Sequence, residues 1–240
     1  MIFTKHNIQD VGNLIETAHS DGIAILIDKP LNWTSFDVIA KLRYLIKIKK
    51  IGHAGTLDPL ADGLLIVCAG KFTKKINEFQ DLHKEYSGLV KLGATTPSYD
   101  SEFNEENICD ISAVTETQVI DAGMSFIGKQ MQYPPAFSAK KIKGKKLYEY
   151  ARKGIQVEIH PNEVEFLDIK ISYAPPFADF YIKCSKGTYI RSFANDMGVK
   201  LGVGGYLAKL RRTAIGQYRA DDAVVLSDLV TLLSDFHSKN

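Results

Sequence analysis

The chain has 240 residues, of which 45% are hydrophobic, so it is long enough to bury the core of one large domain or two small ones. Its formal net charge of +2 does not by itself indicate a nucleic-acid binder, and any basic surface must be local. Three scattered cysteines and the lack of an apolar run near ~20 residues argue against a disulfide scaffold and a membrane span. We therefore expect a globular cytoplasmic protein with reduced thiols.

The first hundred residues show helical and strand patterns in turn. Apolar side chains at helical spacing predict helices, Thr34 or Ser35 caps one of them, and short β-branched runs predict buried strands. One such run, over 23–27, is followed by Lys29 at the strand's end, a position where functional side chains often lie. In chain order the pattern predicts a helix over 8–18, a strand over 23–27, a helix over 34–46, and strands over 64–70 and 86–93.

The later part of the chain is predicted to be a polar loop followed by strands and three helices. Residues 94–112 are rich in polar side chains and predict an exposed loop. In chain order we then expect a short helix over 119–127, strands over 155–159, 164–166, 169–171 and 180–184, a helix over 190–197, and a last helix around 229–233.

A lysine-rich segment, residues 129–154, carries the local basic charge. Phe137, Tyr148 and Tyr150 lie among its lysines and arginine, and interleaved aromatic and basic residues suit base stacking and phosphate contact. The alternative is a solvated loop followed by an ordinary helix.

A glycine-punctuated loop, within residues 50–63, presents one carboxylate between packed segments. Its glycines permit tight turns and close approach of a ligand, while Pro59 fixes the backbone directly behind Asp58. An Asp-Pro pair alone is a common turn device. The residues around it decide between the two interpretations.

Residues 52–63 run Gly-His-Ala-Gly-Thr-Leu-Asp-Pro-Leu-Ala-Asp-Gly. Four further blocks lie before and after this stretch. They are Asp-Lys-Pro at 28–30, Lys-Glu-Tyr at 84–86, Tyr-Pro-Pro-Ala-Phe-Ser-Ala-Lys at 133–140 and Lys-Gly-Thr-Tyr-Ile-Arg at 186–191. In this order they resemble the TruB family of tRNA pseudouridine-55 synthases over most of the chain.

The resemblance implies an α+β fold: a mixed, largely antiparallel sheet with flanking helices, the pseudouridine synthase fold. It implies one catalytic domain over residues 1–240, with an RNA-gripping insertion at about 130–146. Only 28 residues follow Arg212, fewer than the ~50 a domain generally needs, so we expect no separate C-terminal RNA-binding domain.

The resemblance also assigns roles. Asp58 is the nucleophile, Arg191 pairs with it, and Tyr86 stacks on the uracil of uridine 55, flipped out of the T arm of tRNA. His53 fills the vacated space. No metal or other cofactor, no membrane and no obligatory protein partner is implied. Further expected substrate contacts are Lys29, Tyr189, Leu210, Lys140, Lys143 and Lys145.

Two residues depart from the family pattern: Asp62 stands where relatives often carry Thr, and Asn32 where they often carry Gly. These changes affect substrate contacts, not the nucleophile. Two other functions stay open at this point. A glycoside hydrolase would pair Asp58 with a second carboxylate, Asp62 or Asp100. A non-catalytic RNA-binding module would use the basic segment and have no need of Asp58.

Overall fold

The computed structural model describes residues 1–142 and 144–239 of the chain. It is an α+β protein, as the sequence predicts. In chain order the helices are α1 Val11–Ser20, α2 Ser35–Ile46, α3 Ile76–Asp81, α4 Glu116–Met124, α5 Leu147–Ala151, α6 Ile190–Leu201 and α7 Leu226–Lys239.

The strands pair mostly antiparallel, which confirms the predicted character of the sheet. Short 3-10 helices lie at Gly70–Lys75 and Ala220–Asp222. The strands are β1 Ile2–Phe3, β2 Ile23–Lys29, β3 Ile51–His53, β4 Ala61–Ala69, β5 Lys84–Leu92, β6 Gly128–Gln132, β7 Lys141–Ile142, β8 Lys145–Lys146, β9 Asn162–Ala174, β10 Phe177–Cys184, β11 Gly205–Ile215, β12 Tyr218–Arg219 and β13 Val224–Val225.

The described chain divides into two compact units. The first unit comprises residues 1–85 and 211–239, and the second comprises residues 86–210. The divisions fall inside β5 and inside β11.

The first unit is built on β2 and β4, which pair antiparallel with Lys29 opposite Gly63. β1 and β13 run parallel to β2, and β3 runs antiparallel to β4. Because side chains alternate across a strand, Ile25 and Ile27 of β2 pack with the helices α1, α2 and α7, while Leu26 packs with Phe79 on the other face. Both faces of β2 are therefore covered, as its nearly continuous apolar run predicts.

The helix α2 begins where the sequence predicts. Thr34 is its N-cap, and the Thr34 hydroxyl and the Asp37 carboxylate each accept a backbone N–H in a capping box. The helix ends at Lys47, whose φ of 56° lies in the left-handed region. Its buried face carries Val38, Ile39, Leu42, Leu45 and Ile46.

The second unit places β5, β10, β9 and β6 side by side in that order, and both β10 and β6 run antiparallel to β9. Its core is aromatic. Phe193 of α6 lies 5.1 Å from Phe126, 5.6 Å from Phe166 and 6.0 Å from Phe180, measured between ring centroids. This packing fixes α6, which begins directly after Tyr189.

Two predictions about the second unit are wrong. Residues 155–159 alternate in polarity but form no strand, because they lie at the surface without a pairing strand, with Ile155 half exposed. Residues 94–112 are not uniformly an exposed loop, since Thr96, Ser98 and Asp100 are buried. There Thr96 and Ser98 donate hydroxyl hydrogen bonds that satisfy Asp100.

Candidate functional site

Asp58 lies in a loop that connects β3 to β4, residues 54–60, called here the Asp58 loop. Its backbone carbonyl accepts a hydrogen bond from the N–H of Ala61 at 3.1 Å, which closes a tight turn into β4. Leu57, directly before it, is buried, while Asp58 itself is half-buried. The carboxylate is thus carried on a turn whose neighbour is anchored in the core.

The start of α2 holds this loop from one side. The Ser35 hydroxyl accepts from the N–H of Leu57 at 2.9 Å and donates to the carbonyl of the same residue at 3.0 Å. The N–H of Asn32 donates to the carbonyl of Pro59 at 2.8 Å. Asn32 has a φ of 63°, which Asn tolerates far better than most residues, so this departure from glycine preserves the backbone.

Arg212 holds the loop from the other side. The residue is buried, and its guanidinium donates to the carbonyls of Leu64 at 2.7 Å and Gly55 at 3.1 Å. A Cβ on Gly63, whose φ is 98°, would lie 2.4 Å from the Arg212 carbonyl oxygen. Sequence reasoning missed this role. The period of β11, which puts Arg212 on the same face as buried Ala214, was the available signal.

The second departure, Asp62, takes part in an ion-pair network. Arg211 donates to both oxygens of Asp28, at 3.0 and 2.8 Å, and to Asp62 at 3.1 Å. The hydrogen bonds that Arg211 donates to Asp28 and then to Asp62 raise the pKa of Arg211, so the guanidinium is permanently charged. Asp62 therefore joins the end of β2 to the start of β4 through an arginine.

Lys29, an expected substrate contact, is buried at the end of β2. Its ammonium donates to the carbonyl of Pro30 at 2.8 Å and to that of Trp33 at 2.6 Å. Burial lowers its pKa to about 8, against the opposing effects of the Asp62 and Asp58 carboxylates. The contacts of Lys29 shape the turn that leads into α2, and its contact with substrate stays a prediction.

His53 is oriented by two neighbours within the first unit. Its Nε2 lies 3.1 Å from the hydroxyl of Thr56, and its ring meets the ring of Phe36 edge-on at 5.2 Å. Burial, and then the charge of Arg212, lower the pKa of His53, so the imidazole is neutral at pH 7. A neutral, partly exposed ring suits stacking more than phosphate contact.

Two predicted aromatic residues of the site belong to the second unit. Tyr86 lies near the start of β5 and is largely buried. Tyr189 is the N-cap of α6, and its backbone exchanges two hydrogen bonds with the side-chain amide of Gln132, at 2.8 and 3.0 Å. Leu210, which the sequence also predicts to contact the substrate, is half-buried in β11.

Arg191 is buried in the first turn of α6. Its Nη1 lies 3.5 Å from Asp100 Oδ2 and donates to the carbonyls of Ser98, at 3.3 Å, and Phe137, at 2.9 Å. Sequence reasoning missed Asp100 as a neighbour of Arg191, because 91 positions separate them and no local pattern links them. Asp58 and Arg191 belong to different units, and their pairing stays a prediction.

The lysines of the basic segment differ in whether their ammonium groups are bound by the protein or exposed to solvent. Lys140 donates to the carbonyl of His160 at 2.9 Å and to Asn162 Oδ1 at 2.7 Å, so its ammonium is held by the protein. Lys145 is exposed in β8, and Lys146 lies 5.4 Å from the ring centre of Tyr148. Lys143 lies outside the described residues.

Across residues 1–142 and 144–239, no cluster of three His, Cys, Asp or Glu side chains has an arrangement that would hold a metal ion. In the same residues no helix combines the length and apolarity needed to cross a membrane.

Comparison with solved structures gives the same fold. The chain resembles the protein of a Cbf5–Nop10–Gar1 complex with 28% identity and a TM-score of 0.70, covering 90% of this chain and 56% of that one. It also resembles a chain of an H/ACA RNP bound to a substrate RNA containing 2′-deoxyuridine, with 26% identity and a TM-score of 0.69, covering 94% of this chain and 57% of that one. The chain thus spans less than two-thirds of these larger proteins.

Family comparison covers nearly the whole chain. Residues 43–190 match the N-terminal domain of the TruB family of pseudouridylate synthases, and residues 191–238 match the C-terminal domain of tRNA pseudouridylate synthase B. With the α+β fold and the anchored aspartate loop, these matches define a pseudouridylate synthase.

Relatives named tRNA pseudouridine synthase B include one from Chloroherpeton thalassium, 49% identical over 88% of this chain and 90% of its own length. Another, from Flavobacterium johnsoniae, is 47% identical over 85% of this chain and 93% of its own length. The chain belongs to the TruB family. This membership disfavours the glycoside hydrolase, as does the pairing of Asp62 with Arg211.

Proposed function

We propose that the protein isomerises uridine to pseudouridine at position 55 in the T arm of tRNA. The observation that carries the proposal is the Asp58 loop, which lies within the family-like stretch 52–63 and is fixed by Ser35, Asn32 and Arg212. A carboxylate held in this way is preorganised for attack on a bound nucleotide.

The reaction exchanges one bond for another within a single nucleotide. The bond from N1 of uracil to C1′ of ribose breaks, the base turns, a bond from C5 to C1′ forms, and the C5 proton leaves while N1 gains one. No electrons are lost or gained, so the balanced reaction needs no oxidant or reductant. A carboxylate suits it because it can attack covalently and then depart.

Each remaining catalytic role goes to a residue of the second unit. Arg191 keeps Asp58 ionised and aimed through a charge-assisted contact, which its rigid guanidinium supports. Asp100 and the carbonyls of Ser98 and Phe137 orient that guanidinium. Tyr86 stacks on the uracil and assists removal of the C5 proton.

Substrate binding follows from base flipping. The target base must leave the folded T arm, and His53 fills the space it vacates. Tyr189 and Leu210 line the pocket, and Lys29 supports it from within the fold. The insertion at about 130–146 contacts the RNA backbone through Lys145, which is exposed, and through Lys140 and Lys143. The proposal takes residues 1–240 as one catalytic domain that acts on tRNA in the cytoplasm without an obligatory protein partner.

The decisive experiment replaces Asp58 by Asn, which keeps the size of the side chain but removes its charge and nucleophilicity. Wild-type protein incubated with an unmodified tRNA transcript should form pseudouridine at position 55, and the folded Asp58→Asn variant should form none. Uridine and pseudouridine have equal mass, so carbodiimide labelling or tritium release from C5 provides the readout.

Asp62→Asn is the matched control, because it removes a carboxylate four positions away that is paired with Arg211. It should retain activity. Wild-type levels of pseudouridine in the Asp58→Asn reaction would overturn the mechanism, and no pseudouridine from the wild-type protein would overturn the function.

A second substrate tests which part of tRNA is read. If the protein recognises the local shape of the T arm, an isolated T-arm stem-loop should be modified nearly as fast as the whole transcript. A requirement for the acceptor end would contradict this.

A further inference from the structure

The exposed face of α2 combines two large aromatic side chains with two cations. Tyr44 is 75% exposed and Phe36 is 61% exposed, which is unusual for aromatic residues on a packed helix. Arg43 and Lys47 are exposed beside them. Positions 36, 43 and 44 fall on one side of a helix with 3.6 residues per turn, and Lys47 is the C-cap directly after it. These four residues are called here the α2 face.

The α2 face begins at the Asp58 loop. Ser35, the first residue of α2, exchanges two hydrogen bonds with Leu57, and Phe36 meets the ring of His53 edge-on. From Phe36 to Lys47 the helix rises about 16 Å, at about 1.5 Å per residue. The α2 face therefore starts beside the Asp58 loop and leads away from it.

The charge of the strip is uncompensated. In the described part of the chain, Arg43, Lys47, Lys49 and Lys50 have no ion-pair partner within 4.0 Å. The carboxylate nearest along the helix, Asp37, is occupied by the Thr34 capping box. Beyond its first turn, α2 itself carries two cations, Lys41 and Arg43, and no carboxylate.

We propose that the α2 face binds the RNA strand flanking the modified uridine. Arg43 and Lys47 contact successive phosphates, Tyr44 stacks on an unpaired base, and Phe36 packs with His53 against the nucleotide beside the target. Aromatic rings interleaved with cations are the usual means of holding single-stranded or loop RNA. The inference rests on the proposed function, because it takes the substrate to be the RNA bound at Asp58.

The experiment measures affinity for an unmodified tRNA transcript by fluorescence anisotropy at several salt concentrations, and pseudouridine formation under saturating RNA. The variants are Tyr44→Leu, Tyr44→Phe and the double change Arg43→Gln with Lys47→Gln. All three positions are exposed, so the variants should melt at the wild-type temperature.

We expect Tyr44→Leu to raise the Kd about fivefold or more, and Tyr44→Phe, which keeps the ring, to stay within twofold of wild type. The double variant should raise the Kd and reduce the slope of log Kd against log salt by up to ~1.4 to 1.8, for two lost phosphate contacts. The rate at saturating RNA should be unchanged.

The control pair, Lys5→Gln with Lys71→Gln, removes the same charge from two exposed positions that lie outside α2 and outside the Asp58 loop. It should leave the slope unchanged. An equal effect of both pairs, a double variant that binds like wild type, or equal losses in Tyr44→Leu and Tyr44→Phe would each overturn the inference. Wild-type protein that makes no pseudouridine would overturn the proposed function instead.

Discussion

Ser35 satisfies both backbone groups of Leu57 with one hydroxyl, which accepts at 2.9 Å and donates at 3.0 Å. The two residues are 22 positions apart in the chain, and both are buried. The residue directly before Asp58 is thereby fixed to the first turn of α2, so the direction of the carboxylate depends on a serine outside the glycine-rich motif.

Removal of that hydroxyl should loosen the Asp58 loop. In Ser35→Ala, two buried polar groups of Leu57 lose their partner, and we expect the free energy of unfolding to fall by about 1–3 kcal/mol. The rate at saturating RNA should fall while affinity for RNA stays near wild type. Ser20→Ala removes an exposed hydroxyl and should change stability by less than about 0.5 kcal/mol. Urea unfolding and initial rates measure both effects, and a folded Ser35→Ala with full activity would contradict the anchoring role.

Comparison of alanine variants at Gly63 and Gly128 separates the cost of a positive φ from the cost of a steric clash. Their φ values are 98° and 102°, but a Cβ on Gly63 would strike the backbone of Arg212 at 2.4 Å, whereas nothing lies within 4 Å of one on Gly128. Both Ala variants should lose about 1–3 kcal/mol through strain. Gly63→Ala should lose about 1–3 kcal/mol more from overpacking. Equal losses in thermal or urea unfolding would show that the close approach to Arg212 costs nothing.

Lys29 should make stability depend on pH in a defined direction. Its pKa is about 8 in the folded protein and about 10.5 when unfolded, so between these values the unfolded chain binds more protons. The free energy of unfolding therefore rises as the pH increases from 8 to 10.5, and this gain is lost as the pH falls back to 8. Urea unfolding at pH 7.5 and pH 10 should show wild type gaining stability relative to Lys29→Met. A constant difference between the two proteins would mean that the ammonium is not desolvated.

Arg191→Lys keeps the charge but loses the planar fork. The ammonium of a lysine lacks the planar guanidinium that lies against Asp100 and the carbonyls of Ser98 and Phe137, so it would not be held in a single orientation. We therefore expect pseudouridine formation to fall about 100-fold or more while RNA binding is retained. Arg152→Lys, at an exposed pair with Glu102, is the control and should keep full activity. Loss of RNA affinity in parallel with activity would point to a structural role alone.

Local patterns predicted most helices and strands, because periodicity and caps act over a few residues. The Thr34 cap of α2 is an example. The prediction of a strand over 155–159 was wrong because alternation of polar and apolar residues identifies the two faces of a strand. It does not show whether a neighbouring strand is available for pairing.

The contacts of the site that sequence reasoning missed all join residues that are far apart in the chain. Arg212 grips carbonyls 148 and 157 positions away, and Arg191 lies against Asp100. In the sequence these charged residues look like surface residues, since burial of a charge depends on partners that only the fold brings near. The motif identified the Asp58 loop, and the fold supplies what holds it.

A designer who grafted residues 54–60 onto another hairpin would transfer the sequence of the loop without its geometry. The loop is braced from Ser35, Asn32 and Arg212, none of which lies inside the transplanted stretch. The smallest portable unit is therefore discontinuous: the β2–α2 turn, the β3–β4 hairpin and the Arg212 segment of β11 would have to travel together.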